Sequence, residues 1–200
     1  DAAQWPDGPM PFGDRTYIMG IVNSTPDSFY DGGVNYAMQD ALRSARDMIE
    51  NGADIIDAGG ESTRPGSDPV GADQEISRTV PFIKELKKEF PGVRVSIDTT
   101  KAKVAAAAVE AGAGMINDVT GLRGDPDMIK IAAEADVPVC IMHMQGSPKT
   151  MQKSPRYPDD VCYEITNYFR QRIEEACAGG VRECQIVLDP GIGFGKTLEH

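Results

Sequence analysis

Polar side chains recur where short apolar runs stop. Asn23 follows the run Tyr17 to Val22, and Asp57 closes Ala53-Asp54-Ile55-Ile56-Asp57. Asp98 follows Val93 to Ile97, Asn117 and Asp118 follow Met115-Ile116, His143 follows Val137 to Met142, and Asp189 follows Gln185 to Leu188. Runs of this length and make-up are those of buried strands. Asp98, Asn117 and Asp189 therefore sit on separate strands and could converge on one ligand. Two carboxylates and an amide suit a planar heterocycle with several N–H donors, such as a pterin or guanine edge. An Asp at a strand end often caps the next helix instead. After Asp98, however, Thr99 and Thr100 already offer that cap.

Two connections are longer and more polar than a turn requires. The first, from Asn23 to Gly33, carries hydroxyls, the aromatics Phe29 and Tyr30, and the carboxylates Asp27 and Asp31. The second, Ala58 to Ser67, contains Glu61, Thr63, Arg64 and Pro65 among glycines. Both suit an anion: the guanidinium of Arg64 is a planar fork for phosphate oxygens, and glycines let backbone N–H groups approach. Asn23, a neutral oxygen ligand, would suit a Mg²⁺ held mainly by water and phosphate. His143 has no His, Cys or carboxylate partner at ligand spacing and reads as a histidine supporting a loop. Gly195-Lys196-Thr197 has the look of the end of a P-loop, but Pro190 stands where its first glycine belongs. The G-x-G-x-G run also lacks the dinucleotide-binding spacing, so both nucleotide readings fail.

The elements that position these residues alternate. Met38, Ala41, Leu42, Ala45, Met48 and Ile49 lie on one helical face, with Asn35 as the expected cap and Gly52 as the stop. Residues 73 to 90 read as helical, with Pro81 opening a second helix after a short first one. Lys101 to Ala111 follows as an Ala-rich helix capped by Thr99 or Thr100, and Asp125-Pro126 as the N-cap and first residue of a helix to about Ala135. Val161, Ile165, Tyr168, Phe169, Ile173 and Ala176 define one more. Strands that are apolar at successive positions are buried on both faces, which means a parallel sheet covered by helices. About six such β–α units fit either an open doubly wound sheet or a (β/α)₈ barrel, and in both the ligand sits beyond the C-terminal strand ends. A polar residue ends every strand rather than those at one switch point, which favours the barrel.

The chain of 200 residues with 40% apolar content suits a single domain, 1–200. Its net charge of −11 argues against nucleic acid or an anionic membrane as partner. No apolar run approaches the roughly 20 residues of a membrane span. Asp1 to Asp14 lacks the basic and apolar regions of a signal peptide. The first residue is Asp rather than Met, so the chain is expected to start within a longer reading frame or after processing. Cys140, Cys162, Cys177 and Cys184 form no C-x-x-C pair, which suits a reducing compartment, and the cytoplasm is the expected location.

Taken in order, six stretches resemble the dihydropteroate synthases, folate-pathway enzymes that sulfonamides inhibit. They are M-G-I-V-N-S-T-P-D-S-F-Y-D-G-G, G-G-E-S-T-R-P-G-S, S-I-D-T, I-N-D-V, M-H-M-Q-G-S-P-K-T-M-Q and L-D-P-G-I-G-F-G-K, along residues 18 to 196. Any one is weak; the ordered set is specific. Ser24 stands where the family often has Val. The resemblance implies a (β/α)₈ barrel that joins 6-hydroxymethyl-7,8-dihydropterin diphosphate to p-aminobenzoate and releases diphosphate. It places Asp98, Asn117 and Asp189 on the pterin, with Met142 and Val119 lining its slot and Asp57 nearby. Asn23 matches the residue associated with Mg²⁺, and Thr63 and Arg64 the substrate- and diphosphate-binding loop. Phe29, Asp31 and Pro65 match the loop residues that shape the p-aminobenzoate site, which makes Asp31 and Arg64 the candidate catalytic residues. It also implies a homodimer.

The family pattern continues past Lys196 with two more β–α units. One carries a Ser-Arg-Lys-Ser stretch whose lysine touches both substrates, the other an Arg-x-His that grips diphosphate. The chain stops at His200, so the expectation is a truncated barrel with little or no synthase activity by itself. Two other readings are a corrinoid-dependent methyltetrahydrofolate methyltransferase and a non-catalytic pterin-binding fragment. The S-T-R-P-G and M-H-M-Q-G loops argue against the first.

Overall fold

The computed structural model describes residues 2–6, 8–13, 15–24, 33–61, 70–146, 150–158 and 160–200, with the side chains of 2, 3 and 33–37 outside that description. A short antiparallel hairpin, β1 (Ala2–Trp5) and β2 (Gly8–Pro11), comes first. Then strands and helices alternate: β3 (Met19–Asn23), α1 (Gly33–Glu50), β4 (Ile55–Gly59), α2 (Ala72–Glu89), β5 (Arg94–Asp98), α3 (Ala102–Glu110), β6 (Met115–Asp118), α4 (Met128–Ala135), β7 (Val139–Met142), α5 (Val161–Ala178) and β8 (Ile186–Asp189). β3 to β8 form one parallel sheet in unbroken sequence order. A doubly wound sheet reverses its order at a switch point; this one never does. It is the arrangement of consecutive units of a (β/α)₈ barrel, with β3 and β8 as its edges. Among the described residues those edges do not pair, and Ile21 and Leu188 stay exposed on them.

Strand side chains alternate between faces, and here the two faces differ. Ile56, Ala58, Val95, Ile97, Ile116, Val139 and Ile141 point to the helices and pack with Phe82, Ile83 and Leu86 of α2, Val104, Ala105 and Ala108 of α3, Met128 and Ala132 of α4, and Phe169 and Ala176 of α5. The other set, on the inner face, is apolar at the N-terminal end of the strands except for Arg94 of β5, the register neighbour of Ile55. There Ile55, Met115 and Cys140 form a second cluster with Trp5 and Met10 of the hairpin, against Tyr17, Met19 and Val187. The hairpin therefore covers the lower mouth of the sheet. Its short, mixed sequence carries no periodicity that would announce it. A Cβ on Gly114 would stand 2.9 Å from the Trp5 ring, so the tryptophan seats against bare backbone.

Several local expectations are corrected. Asp57 does not close its strand: β4 runs on to Gly59, which leaves Asp57 in mid-strand and 2% exposed. Pro81 does not start a new helix but lies inside α2. Its ring faces solvent while Glu75, Thr79, Phe82, Ile83 and Leu86 bury one continuous face across it, so tertiary packing outweighs the lost backbone bond. α1 begins at Gly33, placing Asn35 inside its first turn rather than before it. α3 opens after Lys101, with no capping bond from Thr99 or Thr100 to the helix. Thr99 Oγ1 instead accepts from Lys101 N at 3.2 Å, and the Ala102 N–H of the first turn donates to Asp125 Oδ2 at 2.9 Å. Asp125 thus serves α3, and α4 starts after Asp127. Gly52 does end α1, with φ of +97°, and Gly112 follows α3 in the same conformation, with φ of +112°.

Candidate functional site

Strand register sets the site. Asn23 of β3 pairs with Gly59 of β4, Gly59 with Asp98 of β5, and Asp98 with Asn117 of β6, so four inward positions stand in one row. The gap at Gly59 lets its neighbours converge. A Cβ there would lie 2.7 Å from Asn23 Oδ1 and 3.8 Å from Asp98 Oδ2. The sequence places Asn23, Asp98 and Asn117 on separate strands, and the structure brings them together.

One layer below, Asp57 is a junction. Its Oδ1 accepts from the Ser96 hydroxyl and its Oδ2 from Asn117 Nδ2 at 2.9 Å. Burial raises its pKa above the ordinary carboxylate value, and these two bonds oppose the rise. Asp98 differs. Its pKa is raised well above the ordinary value by burial first, and then by the negative charges of Asp57, Asp118, Glu75 and Glu61. Such a carboxyl binds a proton readily and exchanges it for a ligand N–H. Asp118, beside Asn117, is structural: it is buried and accepts from Thr120 N and Oγ1 at 2.8 and 2.7 Å and from Leu122 N at 3.1 Å.

Beyond Asn117, from the end of β6 to β7 and the loops that follow, the site turns apolar. Val119, Met142, Met144 and Met151 form a buried cluster against which Phe194 packs. Asp189 lies at its edge, paired in register with Met142, and its Oδ1 accepts from Gly191 N at 2.7 Å. Thioethers beside a row of acceptors suit a flat ring with polar edges. His143 is buried against Tyr168 with ring centroids 4.9 Å apart, edge to face, and Lys196 Nζ is 3.0 Å from its Nδ1. It supports the loop, in line with its sequence reading.

Three contributors escaped the sequence. Ser96 could have been found, since it precedes Asp98 by one strand repeat and must face the same side. Glu75 and Lys101 could not. Lys101, after β5, pairs with Glu61 after β4 and, at 2.7 Å, with the fully buried Glu75 of α2. Burial works to lower the Lys101 pKa, and the two carboxylates outweigh it. Arg78 donates to Gly60 O at 2.8 Å, which pins the same stretch. Among the described residues, Ser24 Oγ and Glu75 Oε1 are buried without a partner, both near the Gly59–Glu61 backbone. Phe29, Asp31, Thr63, Arg64 and Pro65 lie outside the described residues.

Residues 19–200 match the family model of the pterin binding enzymes. A dihydropteroate synthase of Clostridium beijerinckii is 50% identical over 188 residues, 94% of this chain and 66% of that protein. The chain thus spans just under two thirds of the length of this curated relative. The crystal structure of Yersinia pestis dihydropteroate synthase with a sulfonamide drug complex superposes with a TM-score of 0.90 at 43% identity, covering 100% of this chain and 71% of that one. The Xanthomonas albilineans dihydropteroate synthase with 4-aminobenzoic acid does so with a TM-score of 0.81 at 43% identity, over 92% and 64% of the two chains.

Proposed function

The chain belongs to the pterin-binding enzyme family, and from that premise we propose that the protein works as a dihydropteroate synthase. It would join 6-hydroxymethyl-7,8-dihydropterin diphosphate to p-aminobenzoate, releasing diphosphate and 7,8-dihydropteroate. The observation that carries this reading is the row Asn23–Gly59–Asp98–Asn117 with the Val119–Met142 cluster beside it on the next strand. Asp98, Asn117 and Asp189 would take the N–H and ring-nitrogen edge of the pterin, with Asp57 fixing the Asn117 amide. Val119 and Met142 would cover the ring faces. Related synthases solved with a sulfonamide and with 4-aminobenzoic acid support the choice of second substrate.

Asn23 fits a magnesium ion. Its side-chain oxygen stands over Gly59, and among the described residues no three His, Cys, Asp or Glu side chains gather as a metal cage. A cation there would keep most of its water and take phosphate oxygens, as Mg²⁺ prefers. When bound it neutralises charge on the departing diphosphate. Asp31, Thr63, Arg64, Phe29 and Pro65 keep their proposed roles around diphosphate and p-aminobenzoate.

In the reaction the pterin carbon–oxygen bond to diphosphate breaks and the arylamine nitrogen forms the new bond, losing a proton. The pterin ring, held at its polar edge, stabilises positive charge on the exocyclic methylene. p-Aminobenzoate then binds well only with pterin and diphosphate in place. The test is mass-spectrometric detection of 7,8-dihydropteroate by protein expressed from its whole coding sequence, with the pterin lacking its diphosphate as control. Product formed from the control pterin, or none formed with either, counts against the reading. The same proposal includes a homodimer in the cytoplasm, checked by sedimentation and by cell fractionation. No helix among the described residues is long and apolar enough to cross a membrane.

A further inference from the structure

The turn that follows β8 is built around an ammonium group. Lys196 Nζ lies 3.0 Å from Gly191 O, 3.1 Å from Phe194 O, 3.4 Å from His143 O and 3.0 Å from His143 Nδ1. No carboxylate is within ion-pair distance of it among the described residues, unlike Lys101. The lysine does what a bound cation does in an oxygen-lined loop: it gathers carbonyls that would otherwise repel one another. The turn cannot be rebuilt without its glycines. Gly191 has φ of +64°, and a Cβ there would stand 2.1 Å from His143 O. Further bonds reach the same turn from outside, from Gln152 Nε2 to Gly193 O and from Tyr157 Oη to Gly195 O at 2.8 Å.

What this turn carries belongs to the ligand slot. Phe194 packs on the Val119–Met142–Met144–Met151 wall, and Asp189 is held through Gly191 N. We propose that Lys196 is a positioning residue: its ammonium locks the turn after β8 onto the end of β7, so that Phe194 and Asp189 are already in place when a pterin enters. The proposal deepens the reading of this site as a pterin site and rests on it. An ammonium can only donate, so the contact at Nδ1 assigns His143 the neutral tautomer with its proton on Nε2. Its titration is pushed down to about 4, by burial first and then by Lys196, with Arg123 adding to the effect. The groups facing it are Lys196 after β8, Arg123 after β6, Tyr157, and Tyr168 of α5.

The experiment uses protein expressed from its whole coding sequence and followed by NMR. In the unsubstituted protein the Lys196 ammonium protons exchange slowly with water, and His143 stays neutral down to about pH 4. Lys196→Met raises the His143 titration by about one pH unit or more and weakens binding of 6-hydroxymethylpterin about tenfold. KM rises while kcat changes little. Lys196→Arg, which keeps the charge but spreads its donors in a plane, restores the low His143 titration and only part of the affinity. A folded Lys196→Met with unchanged pterin affinity overturns the proposal. So does a Lys196 ammonium that exchanges as freely as a surface lysine, a measurement that decides the matter even where Lys196→Met fails to fold. Failure of the synthase reading shows separately, as absent turnover by unsubstituted protein whose NMR signals and pterin affinity behave as stated.

Discussion

Near the N-terminal ends of β4, β6 and β7, the inner face buries Ile55, Met115 and Cys140 under Trp5 and Met10. Two residues further along β4 and β6, the inner face carries Asp57 and Asn117, with Ser96 and Asp98 on the strand between. The lower half is closed by side chains of its own chain. The upper half keeps carboxyls whose pKa values burial raises, with neighbouring negative charges adding to the rise at Asp98. Burial of apolar area stabilises the fold, whereas a buried carboxyl lacking a cation costs stability. The difference separates the part of the barrel that holds it together from the part that waits for a ligand.

Substitutions should divide along the same line. The largest effect is expected from Trp5→Ala, which empties the lower cluster and lowers unfolding free energy by about 3–5 kcal/mol in urea titrations; pterin affinity should stay within about twofold. Asp98→Asn should do the reverse, weakening pterin binding by about a hundredfold, or about 2.7 kcal/mol, in calorimetry. Its melting temperature should not fall, since a buried like-charged carboxyl has been removed. A marked loss of stability there would erase the contrast between the two halves.

Gly59→Ala tests the gap in the row. Its Cβ would displace Asn23 Oδ1 from 2.7 Å, so magnesium-dependent turnover should drop about tenfold, about 1.4 kcal/mol, with pterin affinity in the absence of diphosphate nearly unchanged. Proton release is the smallest effect. Asp98 holds its proton more tightly in the folded protein than in the unfolded chain, so it stabilises the free protein at low pH, and that contribution is lost as pH rises through its raised pKa. A pterin N–H prefers the ionised form. Binding should therefore release a proton, and affinity should rise with pH, by up to about tenfold per pH unit, then level off above the raised pKa. Calorimetry in buffers of different ionisation heat reads this directly, and proton uptake would contradict it.

The row of site residues was legible in sequence because parallel strands leave a strong mark: apolar at successive positions, then one polar residue. Asp57 shows the limit of that rule. It looked like a strand end because Ala58-Gly59-Gly60 reads as loop, yet small residues extend β4 where neighbours must approach closely. Glu75 and Lys101 left no mark, since their pairing joins α2 to the turn before α3 across the helix layer, and nothing in local spacing encodes it. Lys196 was visible as part of a false nucleotide motif and as the last residue of L-D-P-G-I-G-F-G-K, with no role attached to it in either. Its partners are backbone carbonyls, which any sequence would supply.

Asp125 accepts from the first turn of α3 although it lies after β6, 23 residues away in sequence. That bond couples the start of α3 to the far end of the next β–α unit. The first turn of α3 should fray wherever β6 separates from β5, because the carboxylate that holds it leaves with that strand. Helix, strand and connecting turn would then come apart as one cooperative step, and amide protons at Ala102 and along β6 should lose protection together when the barrel opens.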